Sequence, residues 1–175
     1  TEYCLYGLLH YQRQMDRYAR QQRDGQWKQL DTRLAGDVRV GILGLGELGG
    51  KVAQDLVRFG YRVSGWSRRP RRIEHVRCLH GDEALRELLP QTDVLFCVLP
   101  STPETHGLLN AETLALLPDD AALINAGRGS LIDETALLAR LDAGLLRFAL
   151  LDVFAEEPLP ENHPLWGHPR AILTP

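Results

Sequence analysis

The chain has 175 residues, of which 44% are apolar, and a net charge of −3. That length supports one domain, or one domain with an appendage, around a sizeable core. The near-neutral balance excludes a general attraction to nucleic acid or to a membrane surface, and the longest uncharged apolar run, residues 94–99, is far too short to span a bilayer.

Cys4, Leu8, Tyr11, Met15 and Tyr18 recur at helical spacing and predict one long helix. Arg13, Arg17, Arg20 and Arg23 lie off the stripe, and Asp24-Gly25 ends it. The apolar stripe must pack either on its own chain or on a second subunit, and a linking and dimerising role is expected of it. Residues 25–37 are a polar connector. The expected division is therefore an inter-domain helix and connector over 1–37, and a nucleotide-binding domain over 38–175.

Val38 to Leu43 is a short apolar strand that runs into Gly44-Leu45-Gly46-Glu47-Leu48-Gly49. A helix follows, with Leu48, Val52, Leu56 and Phe59 expected on its inner face and Gly60 past its end. Tyr61 to Trp66 is a second strand. Strand, Gly-x-Gly-x-x-Gly, helix and strand in that order form the dinucleotide-binding fingerprint. Gly44 permits the tight turn, Gly46 admits a pyrophosphate against the backbone, and Gly49 lets helix and strand pack closely. The pyrophosphate would rest on free amides at the positive end of the helix, around Gly46, Glu47, Leu48 and Gly49.

A third strand is expected near 75–79, then a helix capped by Asp82, with Ala84, Leu85, Leu88 and Leu89 inside and Pro90 beyond. Asp93 to Leu99 reads as a strand covered on both faces. After the 100–107 loop, Asn110 caps a helix ending near Leu117. Ala121 to Ile124 is a strand, Asp133 caps a helix running to Ala143, and Arg147 to Leu151 is a further strand. Alternating strands and helices imply a doubly wound parallel α/β sheet with its strand-end loops on one edge. Cys4, Cys78 and Cys97 lack Cys-x-x-Cys spacing and read as reduced thiols of a cytoplasmic protein. No histidines have metal-ligand spacing, so no metal site is expected. The chain starts at Thr1 and stops as an apolar run finishes, so it reads as a piece of a longer protein.

Three strand-end loops carry chemistry. Trp66-Ser67-Arg68-Arg69 stands where an NAD enzyme places a carboxylate against the ribose. Two guanidiniums there suit a 2′-phosphate, so NADP is expected over NAD; Arg71 and Arg72 read as solvated. Arg128, between Gly127 and Gly129, can reach into a cleft and fork to a carboxylate. Asp152 could accept from a carboxamide. Glu156 and Glu157 suggest one solvated carboxylate and one in the cleft, and composition does not choose between them.

Residues 38–175 resemble the nucleotide-binding domain of the D-2-hydroxyacid dehydrogenases. Three segments carry the likeness: Gly44-Leu45-Gly46-Glu47-Leu48-Gly49, Asn125-Ala126-Gly127-Arg128-Gly129, and Leu151-Asp152-Val153-Phe154-Ala155-Glu156-Glu157-Pro158-Leu159. Gly65-Trp66-Ser67-Arg68 and Pro164-Leu165-Trp166-Gly167-His168-Pro169 resemble the glyoxylate/hydroxypyruvate reductase branch, which prefers NADPH. The first 24 residues look like the helix that joins the substrate domain and packs across the family's dimer.

The resemblance implies a Rossmann fold with most of the substrate domain absent. It implies that Arg128 grips the 2-oxo acid, that Glu157 bonds the catalytic histidine, and that Asp152 meets the nicotinamide carboxamide. Leu99, Pro100 and Thr105 would lie beneath the adenosine and nicotinamide ribose, with Ala126 and Arg128 also against the cofactor. The catalytic histidine would directly follow Thr174-Pro175; His163 and His168 do not match it. The implied activity is reduction of a small 2-oxo acid to the D-2-hydroxy acid by NADPH, in a homodimer. Two rivals stand: a dinucleotide-sensing regulator without turnover, and another family enzyme such as a phosphoglycerate or D-lactate dehydrogenase.

Overall fold

Nearly every residue of the central strands is apolar because both faces of the sheet are covered. In the computed structural model, which describes residues 1–174, seven parallel strands form one sheet in the order β3-β2-β1-β4-β5-β6-β7. The strands are β1 (Arg39–Leu43), β2 (Arg62–Ser67), β3 (Arg77–His80), β4 (Val94–Cys97), β5 (Ala121–Asn125), β6 (Leu146–Leu151) and β7 (Ala171–Leu173). Every position of β4, β5 and β6 is buried. Period-two alternation sends Leu95, Leu123 and Leu151 to one face, and Phe96, Ile124 and Leu150 to the other. Helices α4 (Asp82–Leu88), α5 (Ala111–Leu114) and α6 (Glu134–Asp142) cover the first face. Helices α1 (Glu2–Gln12) and α3 (Glu47–Arg58) cover the second. The fold is the expected doubly wound α/β Rossmann arrangement. Strand order reverses between β1 and β4, which opens a crevice at their carboxyl ends.

The N-terminal segment differs from expectation. It forms two helices, α1 and α2 (Met15–Arg23), broken where Gln14 takes a left-handed conformation with φ of 57°. The stripe divides with the break. Cys4, Leu8 and Tyr11 are buried in this chain's own core, whereas α2 buries nothing and Met15 is 49% exposed. Ion pairs hold α2 instead. Arg17 Nη2 donates to both carboxylate oxygens of Asp120 at 2.8 Å, and Arg147 Nε donates to Asp16 at 3.1 Å. Arg147 also lies over the Tyr11 ring, 4.6 Å from its centroid.

The inner face of α3 is Gly49, Val52, Ala53 and Leu56. Leu48 and Phe59, expected inside, face outward, because the small residues set the line of closest approach to the sheet. Asp82 is not a cap: Gly81, with φ of 83°, holds that position and Asp82 sits in the first turn. Asn110 does cap α5, accepting from the Glu112 and Thr113 amides, but α5 is only four residues long. Asp133 caps α6, accepting from the Ala136 amide. The run at 171–173, given no element from sequence, is β7. Among the described residues no helix is long and apolar enough to cross a membrane.

Candidate functional site

At the β1 end the chain turns back sharply. Gly44 has φ of 107°, and its amide donates to the Trp66 carbonyl at 2.8 Å, tying the loop to β2. A Cβ on Gly49 would sit 1.7 Å from the Gly44 carbonyl oxygen, so only glycine lets α3 start this close. Gly46 is the N-cap of α3, and no side chain satisfies the first-turn amides. A Cβ on Gly46 would meet nothing within 4 Å. Open space in front of unpaired amides at a helix's positive end fits a pyrophosphate. Gly46, Glu47 and Leu48 are exposed at this mouth.

The end of β2 is divided in use. Trp66 is buried and its indole donates to the Gly81 carbonyl at 2.7 Å. Ser67 is also buried, its hydroxyl donating to the Arg69 carbonyl at 2.8 Å. These two side chains therefore shape the strand end and leave the charge to Arg68 and Arg69, both exposed. Arg68 reaches 3.3 Å from Glu104, which stands on the loop after β4. Hydrogen bonds hold the Glu104 carboxyl below the usual range, first from the Thr102 hydroxyl and then from its own backbone, with Arg68 adding to them.

The loop after β4 carries Leu99, buried, and Pro100, exposed. Thr105 is buried and its hydroxyl donates to the Pro100 carbonyl at 2.7 Å while accepting from the Thr102 amide at 2.8 Å. Its role is to fix the loop's shape. After β5, Asn125 does the same for Arg128. Its Oδ1 accepts from the Gly127 amide at 3.1 Å, and its Nδ2 donates to the Arg128 carbonyl at 3.0 Å. Ala126 is half-buried beside it. Arg128 is exposed on the edge, its guanidinium resting on the Gly127 carbonyl at 2.7 Å.

After β6, Asp152 accepts from the Thr174 hydroxyl at 2.8 Å, and Glu157 accepts from the Phe154 amide at 2.9 Å. Both line a cavity of about 460 Å³ with Phe154, Leu159, Trp166 and Leu173. Larger hollows of about 650 and 620 Å³ lie along α2, away from the carboxyl ends of the strands; the strand-end cavity is lined by the segment after β6 together with Leu173. Both histidines of the 163–168 segment are spent on structure. His163 Nδ1 accepts from the Leu165 amide at 3.3 Å with Nε2 3.5 Å from Glu134, and His168 Nδ1 accepts from the Arg170 amide at 3.1 Å with Nε2 3.2 Å from Asp142. Among the described residues no three His, Cys, Asp or Glu side chains gather as a metal site.

Asn125, Glu104 and Tyr3 also make side-chain bonds at these strand ends, beyond the residues expected from sequence. An Asn at a strand end before Gly-x-Gly is a readable signal for the loop staple. Glu104 and Tyr3 have no local signal, since their partners lie far along the chain.

Residues 5–175 match the family model described as D-isomer specific 2-hydroxyacid dehydrogenase, NAD binding domain. The chain is 46% identical, over 99% of its length, to the glyoxylate/hydroxypyruvate reductase A of Photorhabdus laumondii, and 44% identical to that of Serratia proteamaculans; it spans 56% of the length of each. Among solved structures it superposes on a D-isomer specific 2-hydroxyacid dehydrogenase from Xanthobacter autotrophicus Py2 in complex with NADPH and MES. The TM-score is 0.97 at 45% identity, covering 99% of this chain and 72% of that one. An NADPH-dependent glyoxylate/hydroxypyruvate reductase from Sinorhizobium meliloti, in complex with NADP and sulfate, gives a TM-score of 0.94 at 38% identity, covering 99% of this chain and 56% of that one. With a glycine cradle open to a pyrophosphate and Arg128, Asp152 and Glu157 on one edge, the chain belongs to the D-isomer specific 2-hydroxyacid dehydrogenases and is their NAD-binding domain.

Proposed function

We propose that the full-length protein reduces a small 2-oxo acid of the glyoxylate or hydroxypyruvate type to the D-2-hydroxy acid, using NADPH. The observation that carries this reading is the β2 end: Arg68 and Arg69 are exposed beside the open start of α3, with no carboxylate on that strand end. The relatives that bind NADP or are named glyoxylate/hydroxypyruvate reductases support it.

Bound NADPH supplies the hydride that adds to the substrate's C2 carbonyl. Gly46, Glu47, Leu48 and Gly49 offer main-chain amides to the pyrophosphate. Arg68 and Arg69 offer guanidiniums to the 2′-phosphate, with Trp66 and Ser67 holding the strand end in shape. Leu99, Pro100, Thr105 and Ala126 form the floor beneath the ribose groups, and Asp152 accepts from the carboxamide. Arg128, its main chain stapled by Asn125, forks to the substrate's carboxylate and carbonyl oxygens and stabilises the charge as the carbonyl becomes an alkoxide. Glu157 keeps one oxygen clear of the Phe154 amide. That oxygen holds a histidine of the longer protein in its cationic form, ready to protonate the alkoxide.

The same reading makes the protein a cytoplasmic homodimer. The stripe expected at the subunit contact is half buried at home, so the contact moves to the outer side of α1 and α2, where Tyr6, Leu9 and Met15 are exposed. The test of function is titration of the full-length protein with both cofactors by nicotinamide fluorescence, followed by turnover of glyoxylate and hydroxypyruvate. NADPH should bind at least about tenfold more tightly than NADH. Equal affinities, or binding without turnover of either acid, would overturn the reading.

A further inference from the structure

Tyr3 lies in the first turn of α1, 171 residues from Thr174, yet the two hydroxyl oxygens are 2.8 Å apart. Thr174 Oγ1 is also 2.8 Å from Asp152 Oδ1. Each hydroxyl carries one proton, and an ionised carboxylate can only accept. The Thr174 proton therefore goes to Asp152, and the Tyr3 phenol must donate to Thr174. The longer approach of Thr174 Oγ1 to the Leu151 carbonyl, 3.4 Å, is the weaker claim on that proton. Thr174 is also held through its main chain, its amide donating to the Leu151 carbonyl at 3.0 Å. Burial first, and then the nearby Asp152 carboxylate, push the Tyr3 phenol up to about 12 against the opposing effect of the Thr174 bond, so it stays a donor at any working pH.

The relay engages Oδ1 of Asp152. Among the described residues Oδ2 has no hydrogen-bond partner, and Asp152 lines the strand-end cavity. We propose that Tyr3 is a positioning residue for the nicotinamide end of the cofactor: acting through Thr174, it fixes the Asp152 carboxylate so that the free oxygen faces a primary amide. The proposal rests on the assignment of Asp152 to the carboxamide. It gives α1 a part in the site, because the helix that packs beneath the sheet also sets the carboxylate at its edge. Without the relay the carboxylate rotates freely, and the amide must order it on binding.

The experiment compares NADPH with 2′,5′-ADP, which keeps the phosphorylated adenosine and lacks nicotinamide, on the full-length protein. Tyr3→Phe, which preserves the ring's packing, should weaken NADPH about three- to tenfold and leave 2′,5′-ADP within about twofold. It should also narrow the preference for the carboxamide cofactor over its 3-acetylpyridine analogue. Thr174→Val should reproduce both effects, and Thr174→Ser should restore wild-type binding. Asp152→Ala is the reference. If it leaves NADPH unchanged relative to 2′,5′-ADP, the Asp152 assignment fails and the relay with it. If Asp152→Ala weakens NADPH while Tyr3→Phe matches wild type, the relay alone is overturned. Equal weakening of both ligands by Tyr3→Phe also overturns it, because Tyr3 then serves packing only.

Discussion

Leu8→Ala tests whether α1 is part of this domain or an arm meant for another subunit. Leu8 is fully buried among residues of α1, α3 and the sheet face that carries Ile124 and Phe148. Leucine-to-alanine changes in cores cost roughly 2.7–5 kcal/mol, the spread reflecting how far the site can collapse. Here collapse is blocked. A Cβ on Gly7 would already lie 2.4 Å from Ile124 Cδ1 and 2.8 Å from Leu150 Cδ2, so the helix cannot sink further onto the sheet. The expected loss is about 3–4 kcal/mol, or roughly 6–15 °C in Tm for a domain of this size. Leu34→Ala, at a side chain 72% exposed and outside the proposed subunit contact, should cost within about 0.5 kcal/mol. Thermal unfolding followed by circular dichroism at two protein concentrations, tenfold apart, makes the measurement. A loss at Leu8 below about 1 kcal/mol, or one that disappears at the higher concentration, would refute the intramolecular packing.

Asp93 is buried, and burial alone would raise its pKa, but hydrogen bonds from Arg39 and Arg33 outweigh that and hold the carboxyl below its ordinary range. Its contribution to stability is therefore complete above about pH 4 and lost as pH falls through the depressed folded value. Asp93→Asn should cost about 1–3 kcal/mol at neutral pH, toward the low end because both arginines are partly solvated, and should flatten the acid limb of a urea-midpoint profile. A parallel profile would contradict the assignment. Arg128→Lys should lower kcat/KM by at least about tenfold, since an ammonium cannot fork to two oxygens of the acid; unchanged steady-state kinetics would remove it from the site. Glu157→Gln should make reductase activity fail at lower pH, because the proton donor loses the charge that keeps it cationic; an unmoved pH–rate profile would sink that role. Ser67→Asp with Arg68→Ala should reverse the NADPH preference in the fluorescence titration, and an unchanged ratio would place the discrimination elsewhere.

The glycine loop was legible because its requirements are local: a backbone approach that excludes any side chain can be read from residue type and flanking pattern. The Asn110 and Asp133 caps were legible for the same reason. The split of the N-terminal helix was not, since nothing near Gln14 forbids continuation. The ion pairs that redirect α2 join residues 103 and 131 apart. On α3, Val52 and Leu56 are buried as the sequence implies, whereas Leu48 and Phe59 face outward and Gly49 and Ala53 complete the contact. The 171–173 run is too short for periodicity to separate strand from loop. In the candidate site, Arg128, Asp152 and Glu157 were found by motif and do stand on one edge. The side chains of Trp66, Ser67 and Thr105 make hydrogen bonds within the chain that hold these loops in shape, which residue type and position alone do not reveal. Tyr3 was invisible, because only the folded chain brings it to Thr174.

The two outermost strands of the described sheet bear on whether the folded domain aggregates. β3 has four residues, with exposed Arg77 and His80 at its ends, and β7 has three. Edges this short, one of them charged, offer an incoming strand few free main-chain groups to pair with. The uncharged apolar run over residues 94–99 has the composition of a cross-β segment, and its strand, Val94–Cys97, is flanked by β1 and β5 and wholly buried. That strand meets solvent only when the sheet opens. Aggregation should therefore follow unfolding, and a substitution that lowers stability should promote clumping even when it leaves both edges untouched.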